Sequence, residues 1–390
     1  MSESGGDMPS RRVGGLLPMA LMAAIGSLAV HMLVPALPLV ARDLQADEPT
    51  IQLTVTLYLV GLGIGQLVAG PVADRLGRRP VLLAGLIVCL AGLLISFGAS
   101  DATVLIVGRV VTALGGAAAI VSVRAMVADS AAGADATAQL AILTSVVLLS
   151  PTLSPVIGGA LADAGGWRLI FACLASCAAA LIVIAWRRLP ETHLQGGARR
   201  SPVHDFAQLL GTARFLRFAV AVALSRCALY LFLSASPFLL TERWGLTPSE
   251  AGFCCLLVAA AGVGGTLIVR RLRSGGAGFR VGLALAVAGS ALMLALGLAG
   301  FDGPMTLIAP MIIVGLGTGI AAPAGIAGVM QCVPGLAATS TSLAGALQMV
   351  ISGAAATIAT QMHIAKPSWL AAAILAAAAA AFLAAPTDED

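Results

Sequence analysis

Residues 70–80 read GPVADRLGRRP and lie between two apolar runs, 51–72 and 80–99. Three arginines and an aspartate in so short a stretch are out of place in hydrocarbon, where a charge at mid-depth costs about 2.5 to 3.5 kcal/mol. The string is therefore a connection between two membrane helices. Its arginines place it on the cytoplasmic side, where Lys and Arg are retained. Gly70 is expected to let the end of one helix approach a neighbour closely, and Gly77 to permit the tight turn. Arg75, Arg78 and Arg79 read either as positive-inside anchors or as working parts of the loop, whereas Asp74 gains nothing from an anchor role and calls for another.

Outward from this loop the chain repeats the same alternation. Of 390 residues, 59% are hydrophobic and 10% charged. A soluble chain carries roughly 25% charged residues. Apolar runs fall near 14–40, 51–72, 80–99, 102–128, 137–163, 167–188, 215–240, 250–269, 279–299, 304–331, 337–362 and 368–385. Each meets the length of about 20 residues that a spanning helix needs. The first run, with Pro18, Pro35 and Pro38, is too long for a cleavable signal peptide and is read as the first span. With the N-terminus inside, fifteen arginines fall in cytoplasmic segments and four basic residues (Arg42, Arg168, Arg243, Lys366) in outer ones. Both termini are thus expected in the cytoplasm, with the chain in a bacterial inner membrane. The net charge of +4 reports this topology and gives no sign of nucleic acid as a partner. The seven cysteines lack metal-ligand spacing and read as small buried hydrophobes, so no metal or cofactor is expected.

The polar stretch 189–214 separates residues 1–188 from 215–390, six apolar runs on each side. The two parts echo each other weakly: Pro35 and Pro38 answer Pro237, and DEPTIQL answers LTPSEAGF. The expected fold is an all-α integral membrane protein of twelve transmembrane helices, arranged as two pseudo-repeated six-helix bundles around a central cavity.

The 70–80 string resembles the loop signature of the major facilitator superfamily, G-x-x-x-D-R-x-G-R-[RK], with Gly70, Asp74, Arg75, Gly77, Arg78 and Arg79 all in register. The resemblance implies that the loop latches the cytoplasmic gate in the outward-facing state, Asp74 meeting the positive N-terminal end of the eleventh helix, which opens at AATSTSLAG. Span four reads RVVTALGG from Arg109, similar to the family's R-x-x-Q-[GA]-x-G, with Thr112 in place of Gln. Span five reads SPTLSPVIGG over 150–159, similar to the antiporter signature G-x-x-x-G-P-x-x-G-G, with Ser150 and Ser154 at two glycine positions. With HMLVPALP in span one, these strings resemble the bicyclomycin and chloramphenicol resistance (Bcr/CflA) branch of the drug:proton antiporters. Independently of any family, Pro151 and Pro155 kink span five while Gly158 and Gly159 permit close packing, which reads as a moving seam.

Ionisable groups at membrane depth are functional candidates. Arg109 is the foremost, and the resemblance implies that it supports substrate binding and proton exchange. Arg226, midway along span seven, is suited to an anionic or carbonyl-bearing substrate group. The resembling branch commonly carries an acid in span one where this chain has His31, and no Asp or Glu lies at mid-depth in any of the twelve runs. With an ordinary pKa of about 6.5, His31 becomes the candidate proton carrier. Tyr58, Tyr230 and Gln348 are expected in the cavity wall. The functional expectation is export of a small, moderately apolar compound, an antibiotic such as a phenicol or bicyclomycin type, by proton antiport and alternating access, the working unit being a monomer. Export of an endogenous metabolite such as a siderophore is the rival reading. A membrane-embedded enzyme is disfavoured by the lack of any clustered acid–base or nucleotide motif, and a sensor by the lack of a sizeable soluble domain.

Overall fold

The computed structural model describes residues 16–130, 150, 152–192, 202–272, 276–333, 336–361 and 367–386, and every regular element among them is helical. In the N-terminal half, α1 (Leu16–His31), a 3-10 turn (Val34–Ala36) and α2 (Leu37–Asp43) make up the first span; α3 (Glu48–Leu76), α4 (Arg78–Phe97) and α5 (Ala102–Ser130) follow. A helix over 152–165, α6, precedes α7 (Trp167–Arg188). After the short α8 (Pro202–Leu210) come α9 (Ala213–Phe238) with a π turn (Leu239–Arg243), α10 (Pro248–Leu272), α11 (Gly276–Leu298), α12 (Pro304–Gln331), α13 (Ala337–Gln361) and α14 (Pro367–Ala384).

Ten of these are long and apolar enough to cross a membrane. The two expected runs outside that set are α6, whose preceding residues 131–149 lie outside the described ones, and α13, an uncharged helix of 25 residues diluted by Ser, Thr and Gln.

Small residues build the bundle, because apolar helices in lipid associate by close packing rather than by escaping water. A Cβ added at Gly115 of α5 would lie 2.3 Å from the Cys89 nitrogen of α4, and one at Gly319 of α12 would lie 2.0 Å from the Gly262 carbonyl of α10. Thr112 belongs to this packing: it is fully buried, and its hydroxyl donates to the Gly108 carbonyl at 2.8 Å on the face that meets Gly92 of α4. One apolar core gathers residues from Met19 to Leu189 together with Phe238; three smaller ones lie among residues 209–385.

The weak proline echo has a structural counterpart. Span one leaves α geometry at the 3-10 turn containing Pro35, and span seven does so at the π turn following Pro237. Proline withholds an N–H and clashes with the preceding turn, so each span breaks toward the end opposite the 70–80 loop. That end is called the far end below, and the loop end the basic end.

Candidate functional site

Helical bonding continues just past His31, the Met32 N–H donating to the Leu28 carbonyl at 3.0 Å, before span one breaks. Side chains from neighbouring helices serve this region. The Tyr58 hydroxyl of α3 donates to the Gly26 carbonyl at 2.7 Å, and Arg109 Nη1 of α5 donates to the Ala29 carbonyl at 2.6 Å. A cation at a helix C-terminus is also favoured by the helix dipole. The Arg109 guanidinium carbon lies 4.1 Å from the centroid of the Tyr58 ring. Cation–π contact of this kind, in a desolvated setting, stabilises by about 2 kcal/mol. Arg109 is 0% exposed, yet its Nε and Nη2 have no hydrogen-bond partner among the described residues. The group is a buried cation whose Nε and Nη2 are to spare and which meets no carboxylate among the described residues.

His31 closes α1. Its Nδ1 lies 2.7 Å from the Ser27 carbonyl oxygen. A carbonyl only accepts, so Nδ1 carries the proton and, in the neutral ring, Nε2 is left as the acceptor for a second one. The ring stands 6.3 Å, centroid to centroid, from Tyr230 of α9, which belongs to the other half of the chain. Ser150, just ahead of α6, donates its hydroxyl proton to Ser27 Oγ at 2.8 Å in the same cluster. His31, Arg109, Tyr58 and Tyr230 are thus brought together. Arg226 and Gln348 are not part of that group: they line a separate cleft with Ser225, Thr318, Val222 and Phe279.

At the far end the two halves meet backbone to backbone. A Cβ at Gly158 would lie 1.9 Å from the Met32 carbonyl in span one, while a Cβ at Gly159 would lie 2.4 Å from the Pro248 carbonyl of α10. The contact is reciprocated at Gly252 of α10, whose Cβ would lie 2.4 Å from the Pro155 carbonyl. Adjacent glycines therefore face different partners, one within the half and one across it. Asp163, at the end of α6, accepts from the Ser249 backbone N–H at 3.1 Å and from its hydroxyl. Ser234 of α9 donates to Gln52 of α3 at 3.1 Å, a further tie between halves. Pro151 lies outside the described residues.

At the basic end the arrangement differs. Gly77 has φ +97°, a conformation open to glycine, and a Cβ there would also lie 2.7 Å from Glu191. The Glu191 carboxylate accepts from the Arg78 and Arg79 backbone N–H groups at 2.9 and 3.1 Å, capping α4. Arg78 pairs with Asp74 and, at 3.2 Å, with Asp129. Arg75 is exposed. The Gly70 expectation is corrected here. Gly70 permits no close approach in this structure, since nothing lies within 4 Å of its Cβ position. Asp74 is engaged by Arg78 of its own half, with its side chain 57% exposed, and no contact with the start of α13 is found among the described residues. The helix end and the loop belong to different halves, so their meeting depends on the relative position of the halves, which sequence spacing does not encode.

The major facilitator superfamily model matches residues 19–357. The chain belongs to the major facilitator superfamily. A chloramphenicol resistance protein of Pseudomonas aeruginosa is 32% identical over 366 residues, covering 91% of this chain and 84% of that protein. Multidrug resistance protein D of Escherichia coli K12 is 27% identical over 353 residues, 90% of each chain. Among solved structures, a bacterial homolog of the human lysosomal transporter Spinster, described as inward-facing and unoccupied, superposes with a TM-score of 0.74 at 16% identity, covering 97% of this chain and 98% of that one. A peptide transporter of the POT type in complex with sulfate gives 0.76 at 14% identity, over 95% and 92%. This member of the superfamily is accordingly a multi-pass membrane transporter of small molecules, not an enzyme.

Several groups in these contacts were not marked as functional by sequence. Glu191 falls in the polar stretch after α7 and reads there as linker. Gln52 and Ser234 sit among other polar residues, Thr50, Thr54 and Thr56 beside the one and Ser236 beside the other, so nothing in the sequence singles them out.

Proposed function

We propose that the protein is an efflux transporter of the Bcr/CflA type, exporting a small, moderately apolar compound, an antibiotic of the phenicol or bicyclomycin kind, in exchange for protons. The observation that carries the reading is the place of His31. The one imidazole at mid-depth, in a chain with no carboxylate there, stands at the break of span one, tied to α1 through Nδ1 and facing Tyr230 of the opposite half. A proton taken up at Nε2 there places a positive charge beside Arg109 and at the seam between halves. The coupling follows from that repulsion. Protonation favours a state in which the halves separate near His31, and substrate arriving from the other side favours the neutral ring.

Alternating access is supported by two seams between the halves that can part. One is the Gly159 and Gly252 crossing at the far end; the other is the packing of α3 on α13 toward the basic end, where Gly63 lies against Ala346 and Leu67 joins the cluster of Leu343 and Ala344. In this reading residues 1–188 and 215–390 are the two bundles, 189–214 is their linker, both termini are cytoplasmic, and one chain suffices. The name of the Pseudomonas aeruginosa relative supports a phenicol as substrate.

The test is accumulation of labelled chloramphenicol in a host stripped of its own efflux pumps. Expression lowers accumulation, a protonophore restores it, and Arg109→Ala abolishes the effect while protein levels hold. Unchanged phenicol accumulation, with export of an endogenous chelator instead, would transfer the reading to a metabolite such as a siderophore.

A further inference from the structure

The cleft that holds Arg226 has a chemical bias. It is walled by Val222, Ser225 and Arg226 of α9, by Thr318, Ala321, Ala322 and Ile326 of α12 and by Gln348 of α13, with Phe279 of α11 toward the basic end. Its polar lining is made of a guanidinium, two hydroxyls and an amide, with no carboxylate. Arg226 has no ion-pair partner among the described residues; its electrostatic contact is with Tyr230, one turn further along α9. The Thr318 hydroxyl already donates to the Gly315 carbonyl at 2.9 Å. Arg226 is thus a lining guanidinium without a carboxylate partner among the described residues, and a guanidinium's planar N–H fork is suited to hold a carboxylate in bidentate fashion. With no carboxylate in the lining, an ammonium ligand would meet the positive charge of Arg226 and no counter-ion.

We propose that this cleft, whose volume of about 30 Å³ in this state suits a carboxylate group alone, is a substrate subsite of the C-terminal half, and that it selects the carboxylate head of a small amphiphile while rejecting cations, the apolar body reaching Val222, Ala321, Ile326 and Phe279 once the helices around the cleft part. This rests on the export reading above, and specifies the charge of what is exported.

The test uses the full chain in lipid nanodiscs and three compounds sharing one nitrophenyl propanediol scaffold: neutral chloramphenicol, its anionic hemisuccinate, and the cationic amine left by deacylation. Calorimetry is expected to show the hemisuccinate binding at least ~10-fold more tightly than chloramphenicol, about 1.4 kcal/mol, and the amine at least ~10-fold more weakly. Arg226→Gln should bring all three within about threefold, and Arg226→Lys should keep the order. An amine that binds as tightly as the hemisuccinate, or an order unmoved by Arg226→Gln, overturns the proposal even if cells export chloramphenicol. Should none of the three bind, the phenicol reading fails and the cleft itself decides the proposal. In an Ala322→Cys chain freed of its native cysteines, with melting temperature retained, a negatively charged methanethiosulfonate should outpace its positively charged analogue roughly tenfold relative to a free thiol. That advantage should vanish in Arg226→Gln. Equal rates, or no reaction with either reagent, refute the subsite.

Discussion

Arg109 reaches across from α5 to place Nη1 2.6 Å from the Ala29 carbonyl oxygen, while its guanidinium lies over Tyr58. One side chain thus clasps the end of α1, stacks on α3 and keeps Nε and Nη2 free. Lysine offers a point charge on a flexible stem and no planar face, so Arg109→Lys should lose both the stack and the spare donors. Transport per folded molecule should fall at least ~10-fold, the scale of losing about 1.4 kcal/mol of interaction, beyond the lowering of melting temperature that loss of the stack brings. Initial export rates in inverted vesicles measure this. A structural role alone would lower the melting temperature and leave the rate per folded molecule intact.

The seam between α6 and α10 makes a second expectation concrete. Gly159→Ala or Gly252→Ala puts a methyl group 2.4 Å from a carbonyl oxygen. Overpacking of this order costs about 1 to 3 kcal/mol. Only a state in which these helices touch bears that cost, so the population should move about 5- to 150-fold toward an open far end. Thiol labelling at the far end should quicken, and export should fall. Labelling rates equal to wild type would show that the seam does not open.

Asp74 pairs with Arg78 here in an exposed setting. Surface pairs contribute at most about 1 kcal/mol. Asp74→Asn should therefore change the melting temperature little. If the carboxylate meets the start of α13 in the opposite state, a contact worth up to about 2 kcal/mol is lost there. Transport should drop, and thiols near the basic end should become more accessible. Wild-type transport with unchanged labelling at both ends would remove Asp74 from the gate.

Asp302 gives a prediction in pH. Arg243 Nη2 at 2.5 Å and the Trp244 indole N–H at 3.0 Å hold its carboxyl below the ordinary carboxylate range. With the folded value depressed, the clamp's stabilisation is present above the unfolded pKa of about 3.9 and fades as pH falls through the folded value. Between pH 5 and 8 it is constant. Asp302→Asn should therefore shift the melting temperature equally at pH 5.5 and 7.5, and leave the pH profile of transport in place. A profile altered in that window would assign the titration to the wrong residue.

The sequence made the spans legible because lipid imposes one ruler on every helix, and ten of the twelve runs reappear as helices that meet it. It also made the depth of His31 and Arg109 legible, since both are polar groups embedded in apolar runs. Direction within a helix was less legible. Gly158 and Gly159 read alike as small residues, yet they face span one and α10 respectively. Tyr230 and Gln348 both read as cavity wall, yet one faces His31 and the other lines the Arg226 cleft. Glu191 was hidden because its partners, the Arg78 and Arg79 backbone N–H groups, lie more than a hundred residues away in sequence.

The central claim is that protons move through His31. Purified protein in liposomes containing a pH-sensitive dye, given substrate on one side, measures it directly. The wild type should move protons when substrate is added and build a substrate gradient when a pH gradient is imposed. His31→Asn should do neither, while still exchanging labelled for unlabelled substrate at equilibrium. His31→Asp should regain substrate-driven proton movement. Full proton movement and an unaltered pH profile in His31→Asn would contradict the account and place the coupling group elsewhere.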